Sequence, residues 1–179
     1  MKQTLAPVSC NDSSNAYAIH KAVWDVMRKG VGNDGHGRYQ YLLMPDRQRA
    51  LIRSAAIAGD MVGAPISGTR CKFYIEANPV NSIRNTKNTT YEPIIGEQEQ
   101  MDWLAGRASG CGFSIADVDV SSMPPLRAVK NGIPWYINRA AFSGVLIVTD
   151  QDKFANTLHR GIGRSISFGL GMLIAEEIK

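Results

Sequence analysis

The chain has 179 residues, 44% of them hydrophobic and 20% charged, with a formal net charge of +4. That length and apolar content suffice for one sizeable core or two small ones. No apolar run approaches the roughly 18 residues of a membrane span, and the N-terminus lacks the apolar segment of a signal peptide. We therefore expect a soluble, cytoplasmic protein without a membrane partner. The three cysteines, Cys10, Cys71 and Cys111, are too widely separated for a disulfide framework or a clustered metal site.

The positive charge is concentrated in the first part of the chain. Residues 1–70 contain nine Lys or Arg against five Asp or Glu, whereas residues 71–179 contain eleven of each kind. An uneven excess of cations favours an anionic partner such as a nucleic acid.

The clearest predicted helix covers residues 16–29, after capping residues at 13–15 and before Gly30, where a glycine would end it. At about 100° per residue, an apolar arc including Ile19 and Val23 faces a core. A second arc carries a phenol, an imidazole, an indole and two cations, which packing does not require: Tyr17, His20, Lys21, Trp24 and Arg28.

Strands near residues 3–9, 37–44 and 49–55 complete a β-α-β-β order with this helix. A ferredoxin-like unit would add a second helix and a fourth strand. The short segment 56–69 contains three glycines and a proline, so we expect this unit to be reduced in its second half.

A second unit begins with alternating residues at 71–77, and a polar, mobile hairpin is expected at 78–93. The pattern then predicts a helix at 96–107, a strand at 142–148, a helix from Asp150 to Gly161 and a strand at 168–175; the strand count within 112–141 stays open. The predicted fold is α+β, with tandem ferredoxin-like (RRM-like) units at 1–70 and 71–179.

The segment 161–171 contains two Gly-apolar-Gly triplets that bracket five residues. Glycine tolerates positive φ and lets a backbone approach another backbone or a ligand closely. Neither a Walker A loop nor a dinucleotide-binding loop has this spacing. The segment alone leaves two interpretations open, a phosphate-binding loop and an ordinary glycine-rich connection.

His20 is the candidate catalytic group. The three histidines do not have metal-ligand spacing, and no Gly-x-Ser-x-Gly elbow is present, so we expect no metal and no cofactor; a Ser-His-Asp triad stays open. An unperturbed imidazole has a pKa of about 6.5 and exchanges protons at neutral pH, as metal-free RNA cleavage requires. A histidine on a helix flank can equally be structural.

The glycine-rich loop resembles the signature of the Cas6 superfamily of CRISPR RNA endoribonucleases, most closely the Cas6e type of type I-E Cascade. Further similarity lies, in the same order as in the family, at residues 17–21 with Trp24, 76–80, 99–104 and 142–146. The resemblance implies two ferredoxin-like units that bind the stem-loop of the CRISPR repeat and cut at its base without metal. It also implies attack by the 2′-hydroxyl, a 2′,3′-cyclic phosphate and a 5′-hydroxyl, retention of the product, and other Cascade subunits as partners.

By this resemblance His20 is the catalytic histidine and Tyr17 its helper. The family often has Lys at the sixth loop position, where this chain has Ile166, and Arg164 is the alternative source of charge. The expected RNA contacts are Lys21, Arg28, Arg84, Lys87, Gly161, Gly163, Arg164, Ser165, Ser167, Gly169 and Gly171.

The sequence is also compatible with two other functions. The first is a non-catalytic subunit that binds an RNA hairpin, and the second is a small-molecule-binding regulatory pair of ferredoxin-like units, because fold does not fix function. Among the aromatic residues, Trp103, Phe142 and Phe168 are predicted to lie in the core, whereas stacking on RNA and packing in a turn are equally open for Trp135 and Tyr136.

Overall fold

A computed structural model describes residues 1–31, 38–84 and 88–179. Its first part is an antiparallel four-stranded sheet in the order β2-β3-β1-β4. No helix lies between the third and fourth strands in this part, so the predicted reduced unit is confirmed. The elements are β1 (Lys2–Pro7), α1 (Ala16–Val31), β2 (Tyr39–Leu43), β3 (Arg49–Ser54) and β4 (Asp60–Met61).

The second part is a complete β-α-β-β-α-β unit with an inserted hairpin. Its antiparallel sheet has the order β10-β5-β9-β8, and the hairpin pairs β6 with β7. The elements are β5 (Arg70–Ala77), β6 (Val80–Arg84), β7 (Thr89–Pro93), α2 (Glu97–Ala108), β8 (Phe113–Lys130), β9 (Ile133–Val148), α3 (Gln151–Arg160) and β10 (Ile174–Glu177). Both sheets therefore have the same strand order, and the prediction of tandem ferredoxin-like units is confirmed. The boundary at residue 70 stays a prediction.

Each sheet has its own apolar core. Ile19, Val23 and Met27 of α1 are buried against Tyr41 and Ile52 of the first sheet, as the period of the predicted helix required. The second cluster packs both remaining helices on the second sheet through residues that include Phe73, Trp103, Leu104, Phe142, Phe154 and Leu158. Trp103 and Phe142 stack with ring centroids 6.0 Å apart, so their assignment to the core is confirmed.

Strands β8 and β9 form one long hairpin across the region that the sequence left open. Its turn is Asn131-Gly132, with φ of 52° and 78°. Two residues with positive φ form the tight turn that suits a twisted hairpin, and Asn-Gly is its usual sequence. Register shifts at Ile115/Asp117 and Met123/Leu126 interrupt the alternation of side chains along β8 and obscure its pattern.

Several predicted element ends are wrong. The strand predicted near residues 3–9 ends at Pro7, and the strand predicted at 142–148 begins at Ile133. Helix α1 continues past Gly30 to Val31. The strand predicted at 168–175 begins only at Ile174. Gly169 and Gly171 adopt φ of 82° and 81°, which a strand does not allow, and Phe168 ends a 3₁₀ turn (Ile166–Phe168). Within the described residues, no helix is long and apolar enough to cross a membrane.

Candidate functional site

Helix α1 is fixed at its first turn by Asn15. Its Oδ1 accepts hydrogen bonds from the backbone N–H of Tyr17 at 3.0 Å and of Val129 at 2.9 Å, and its amide donates to the Val129 carbonyl at 3.3 Å. The N-cap predicted at residues 13–15 is therefore Asn15, and the same side chain joins α1 to the end of β8. This contact sets the first turn of α1, and Tyr17 with it, beside the tip of the β8–β9 hairpin.

His20 lies in an aromatic cluster built from both parts of the fold. The centroid of its ring is 6.2 Å from that of Tyr17 and 5.7 Å from that of Phe168, and Trp135 packs edge-on against both partners. The Nδ1 of His20 is buried and has no hydrogen-bond partner among the described residues. Its ring is half-buried, so Nε2 is the nitrogen that reaches solvent.

A surface cleft of about 460 Å³ opens at His20. We call it the His20 cleft; it is lined by Tyr17, His20, Lys21, Trp24, Arg38, Tyr39, Ile166 and Ser167. None of these lining residues is acidic. Burial raises the pKa of Tyr39 to about 12, so that phenol is neutral at physiological pH.

A third cation reaches the same neighbourhood from the second sheet. The Nζ of Lys130 lies 5.6 Å from the centroid of the Tyr17 ring, at the end of β8. Lys21 and Arg38 line the cleft and Lys130 lies beside Tyr17, so this region carries positive charge, which suits a phosphate.

The glycines of the loop are required by packing inside the protein. The loop closes on itself through a 2.8 Å hydrogen bond from the Ile162 N–H to the Gly171 carbonyl. A Cβ at Gly171 would lie 2.5 Å from the Ile162 carbonyl oxygen, and one at Gly169 would lie 2.6 Å from the Tyr41 ring. A Cβ at Gly161 would lie 2.9 Å from the Ile166 side chain. The glycines thus allow a compact loop whose outer backbone remains available.

The middle of the loop presents unpaired backbone donors. Across the described chain, the N–H groups of residues 163–167 have no hydrogen-bond acceptor. Gly163 and Ser165 adopt φ of 86° and 61°. Successive N–H groups around left-handed residues form concavities that bind anions. Ile166 and Ser167 of this segment also line the His20 cleft.

An arginine-rich groove lies on the other side of the loop. Arg164 stacks 3.7 Å above the Tyr91 ring of the β6–β7 hairpin, and Arg107 stacks 4.2 Å above Trp103 of α2. We call this surface the hairpin groove; it is lined by Asn78, Val80, Ser82, Arg84, Thr89, Tyr91, Trp103, Arg107, Gly163 and Arg164. The loop therefore separates two cationic surfaces.

The sequence profile of a family described as "CRISPR associated protein" matches residues 2–176. The chain belongs to this CRISPR-associated family. No curated protein gives a significant match.

Three solved structures of CRISPR proteins share the fold. Cas6e from Escherichia coli K-12 has a TM-score of 0.80 and 22% identity, covering 99% of this chain and 100% of that one. Thermus thermophilus Cse3, bound to an RNA that represents a pre-cleavage complex, has a TM-score of 0.72 and 19% identity, covering 98% of this chain and 100% of that one. A chain of a CRISPR RNA-guided surveillance complex has a TM-score of 0.74 and 16% identity, covering 99% of this chain and 100% of that one. The family profile thus confirms a CRISPR-associated protein, and the solved structures confirm that the chain shares the fold of Cas6e.

In this CRISPR-associated chain, the structure brings together only part of the predicted site. Tyr17, His20 and Lys21 share the His20 cleft with Ser167, whereas Arg84, Gly163 and Arg164 line the hairpin groove. Gly161, Gly169 and Gly171 make the internal contacts described above, and Asn78 donates a 3.0 Å hydrogen bond to Ser165. Arg28 is exposed beside Asp25 at 3.8 Å and does not line the cleft. Lys87 lies outside the described residues.

Sequence reasoning missed two members of the site and misplaced a third. Arg38 and Tyr39 line the cleft from the start of β2, where the sequence showed only a strand. Phe168 was predicted to lie in the core, and this is wrong: it is half-buried, and its ring contacts those of His20 and Trp135. An aromatic residue between two Gly-apolar-Gly triplets was the available signal.

Replacing Asn15 tests the junction of α1 with β8. Asn15→Ala removes a helix cap and two hydrogen bonds to Val129, so we expect a loss of about 2 kcal/mol of unfolding free energy in urea. Asp150→Ala, which removes the cap of α3 at Lys153, is the matched control with an expected loss of about 1 kcal/mol. An Asn15→Ala loss no larger than that of the control would mean that the contact with Val129 contributes nothing.

Proposed function

We propose that this chain is a metal-independent endoribonuclease that cuts the stem-loop of a CRISPR repeat in precursor crRNA and remains on the product. One observation carries the proposal: His20 lines a cleft whose described lining residues include cations and no carboxylate, beside a loop in which five backbone N–H groups have no acceptor among the described residues. Family membership and the fold shared with RNA-bound Cse3 give the substrate class.

The proposed reaction transfers a phosphoryl group within the RNA. The 2′-oxygen upstream of the cut bonds to the adjacent phosphorus, and the bond from phosphorus to the downstream 5′-oxygen breaks. The products are a 2′,3′-cyclic phosphate and a 5′-hydroxyl. One group removes the 2′-hydroxyl proton and another protonates the leaving oxygen, and such transfers contribute roughly 10²–10⁴-fold. His20 and Tyr17 take these two roles.

The remaining groups stabilise the charge that accumulates on the phosphate. Lys21 of α1, Arg38 before β2 and Lys130 of β8 are the cations near His20. Fixed donors that point to developing negative charge are among the largest contributors to catalysis. The open amides of the loop, including those of Ser165 and Ser167, are such donors.

The hairpin groove is the proposed binding surface for the RNA stem. Arg84, Arg107 and Arg164 line it, and two of these guanidinium groups are oriented by aromatic rings. Contacts between cations and phosphates dominate RNA affinity and weaken as salt increases. Since a solved structure of the same fold belongs to an RNA-guided surveillance complex, we propose that the other Cascade subunits are further partners.

Cleavage of a modified hairpin tests the mechanism. Purified protein in EDTA should cut the cognate repeat hairpin once, and a 2′-deoxy nucleotide immediately upstream of the cut should abolish cutting without loss of binding. The 2′-oxygen is the nucleophile, so no product can form without it. Cutting of the deoxy substrate would contradict the proposed reaction.

The same experiment tests the alternative, a non-catalytic subunit that binds the hairpin. Ile166 favours that alternative, because this loop position places an apolar side chain rather than a cation in the His20 cleft. Tight, salt-sensitive binding of the unmodified hairpin with no product, with or without EDTA, would establish it.

A further inference from the structure

The first sheet holds the C-terminal end of α3. The carbonyl of Leu158, in the last turn of α3, accepts hydrogen bonds from Gln40 Nε2 at 2.9 Å and from Arg53 Nη1 at 3.3 Å. Carbonyls in the last turn of a helix have no partner within the helix. Here two buried side chains from another sheet supply the donors, three residues before the glycine-rich loop begins.

The same sheet also holds the other end of the loop. Arg53 Nη1 donates to the carbonyl of Leu173 at 2.7 Å, two residues after the last loop glycine. Gln40 and Arg53 are direct partners in the β2–β3 register, so one point on the first sheet holds both ends of the loop.

Tyr41 contacts the middle of the loop from the opposite face of the sheet. Its hydroxyl donates to the Ser167 carbonyl at 3.3 Å, and its ring packs against Gly169. Consecutive residues of a strand point to opposite faces, and β2 is an edge strand. The loop therefore passes around the edge of β2, from the face that contacts α3 to the face that carries α1 and His20.

Because Arg53 is a buried cation, it requires the hydrogen-bond acceptors that this junction supplies. Its side chain is 3% exposed, its described polar partners are the two carbonyls and Gln3 Oε1, and burial lowers its pKa to about 10. It remains a cation at neutral pH and lies at the negative end of the α3 dipole. A buried cation is costly unless its donors are satisfied in good geometry. An apolar side chain would fill the same space without fixing the loop.

We propose that Gln40, Tyr41 and Arg53 are positioning residues that fix the open amides of the glycine-rich loop relative to His20. This inference rests on the proposed function, because it assigns these residues to the same reaction. None of the three is among the described lining residues of the His20 cleft, and they act through the loop backbone.

Gln40→Leu and Gln100→Leu form a matched pair that tests the proposal. Both glutamines are buried, each donates Nε2 to a main-chain carbonyl at 2.8–2.9 Å, and each has an Oε1 without a partner. Gln40 bonds the last turn of α3, where the chain enters the glycine-rich loop, whereas Gln100 bonds the carbonyls of Ile94 and Ile95, the second at 3.3 Å. Each variant loses buried hydrogen bonds to main-chain carbonyls, so the comparison separates positioning from loss of stability.

Two measurements are made on the full chain at a temperature where both variants are folded. In Gln40→Leu, exchange of the hydrogen-bonded loop amides, those of residues 161, 162, 168, 169 and 171, should increase by about tenfold, the change expected for one net hydrogen bond. The single-turnover rate at saturating protein should also fall by about tenfold, while affinity for the 2′-deoxy hairpin changes by less than about threefold. Gln100→Leu should change neither quantity.

Tyr41→Phe removes only the hydroxyl bond to Ser167 and should change both quantities in the same direction. The proposal is overturned if Gln40→Leu leaves loop exchange and rate unchanged, or if Gln100→Leu alters them equally. Exchange is measured without RNA. A wild-type protein that cuts nothing, with faster loop exchange in Gln40→Leu, would therefore refute the proposed function and still support the attachment of the loop to β2.

Discussion

His20→Ala should produce no detectable cleavage of the repeat hairpin while retaining its affinity within about threefold. The substitution removes the imidazole that transfers a proton, and loss of such a group costs roughly 10²–10⁴-fold in rate. The phosphate contacts that dominate affinity lie mainly on the cations of the two surfaces, which the variant retains. Single-turnover cleavage and filter binding of the 2′-deoxy hairpin measure the two effects separately.

His159→Ala is the matched control, because His159 lies in the last turn of α3 and lines neither the His20 cleft nor the hairpin groove. It should cleave at the wild-type rate. Cleavage by His20→Ala within about tenfold of wild type would remove His20 from the reaction.

Gly171→Ala should destabilise the protein by about 2–4 kcal/mol and disrupt the loop. Its φ is 81°, and a Cβ there would lie 2.4 Å from Ile166 Cδ1 and 2.5 Å from the Ile162 carbonyl oxygen. The expected loss combines left-handed backbone strain with overpacking against a backbone that cannot move aside. Urea unfolding measures the stability, and single-turnover cleavage should slow because the open amides shift.

Gly132→Ala separates the two contributions. Gly132 adopts φ of 78° in the turn of the β8–β9 hairpin, and no atom lies within 4 Å of its added Cβ. Gly132→Ala therefore adds backbone strain without close packing, and we expect a loss of about 1 kcal/mol of unfolding free energy. Equal losses in the two variants would show that the close packing of the loop contributes nothing.

The sequence predicts well the parts of the fold that local periodicity determines. The apolar arc of α1 and the second arc with Tyr17 and His20 follow from the helical repeat, and both lie where the repeat places them. Gly161 and Asp150 delimit α3 by the ordinary chemistry of helix ends. The family resemblance implied two ferredoxin-like units, whereas the strand count within 112–141 stayed open.

The parts that the sequence did not predict depend on contacts between distant residues. Gln40 and Arg53 look like solvent-facing polar positions of short strands, and only the second part of the fold buries them. Pro124 and Pro125 lie at a register shift of β8 and concealed the long hairpin, although Asn131-Gly132 was a readable turn signal. Phe168 belongs to the site only because the loop passes around β2.

Side chains of the first part of the fold hold the second part at two separate places. Asn15 of the first part binds Val129 of the second, and Gln40 and Arg53 of the first sheet bind the backbone on either side of the loop. A rotation between the sheets would break all of these hydrogen bonds together. The two parts are therefore already fixed relative to each other, and RNA binding costs little free energy for ordering them. On the proposed function, cutting leaves every contact with the stem intact, and slow dissociation of the product, rather than chemistry, then limits repeated turnover.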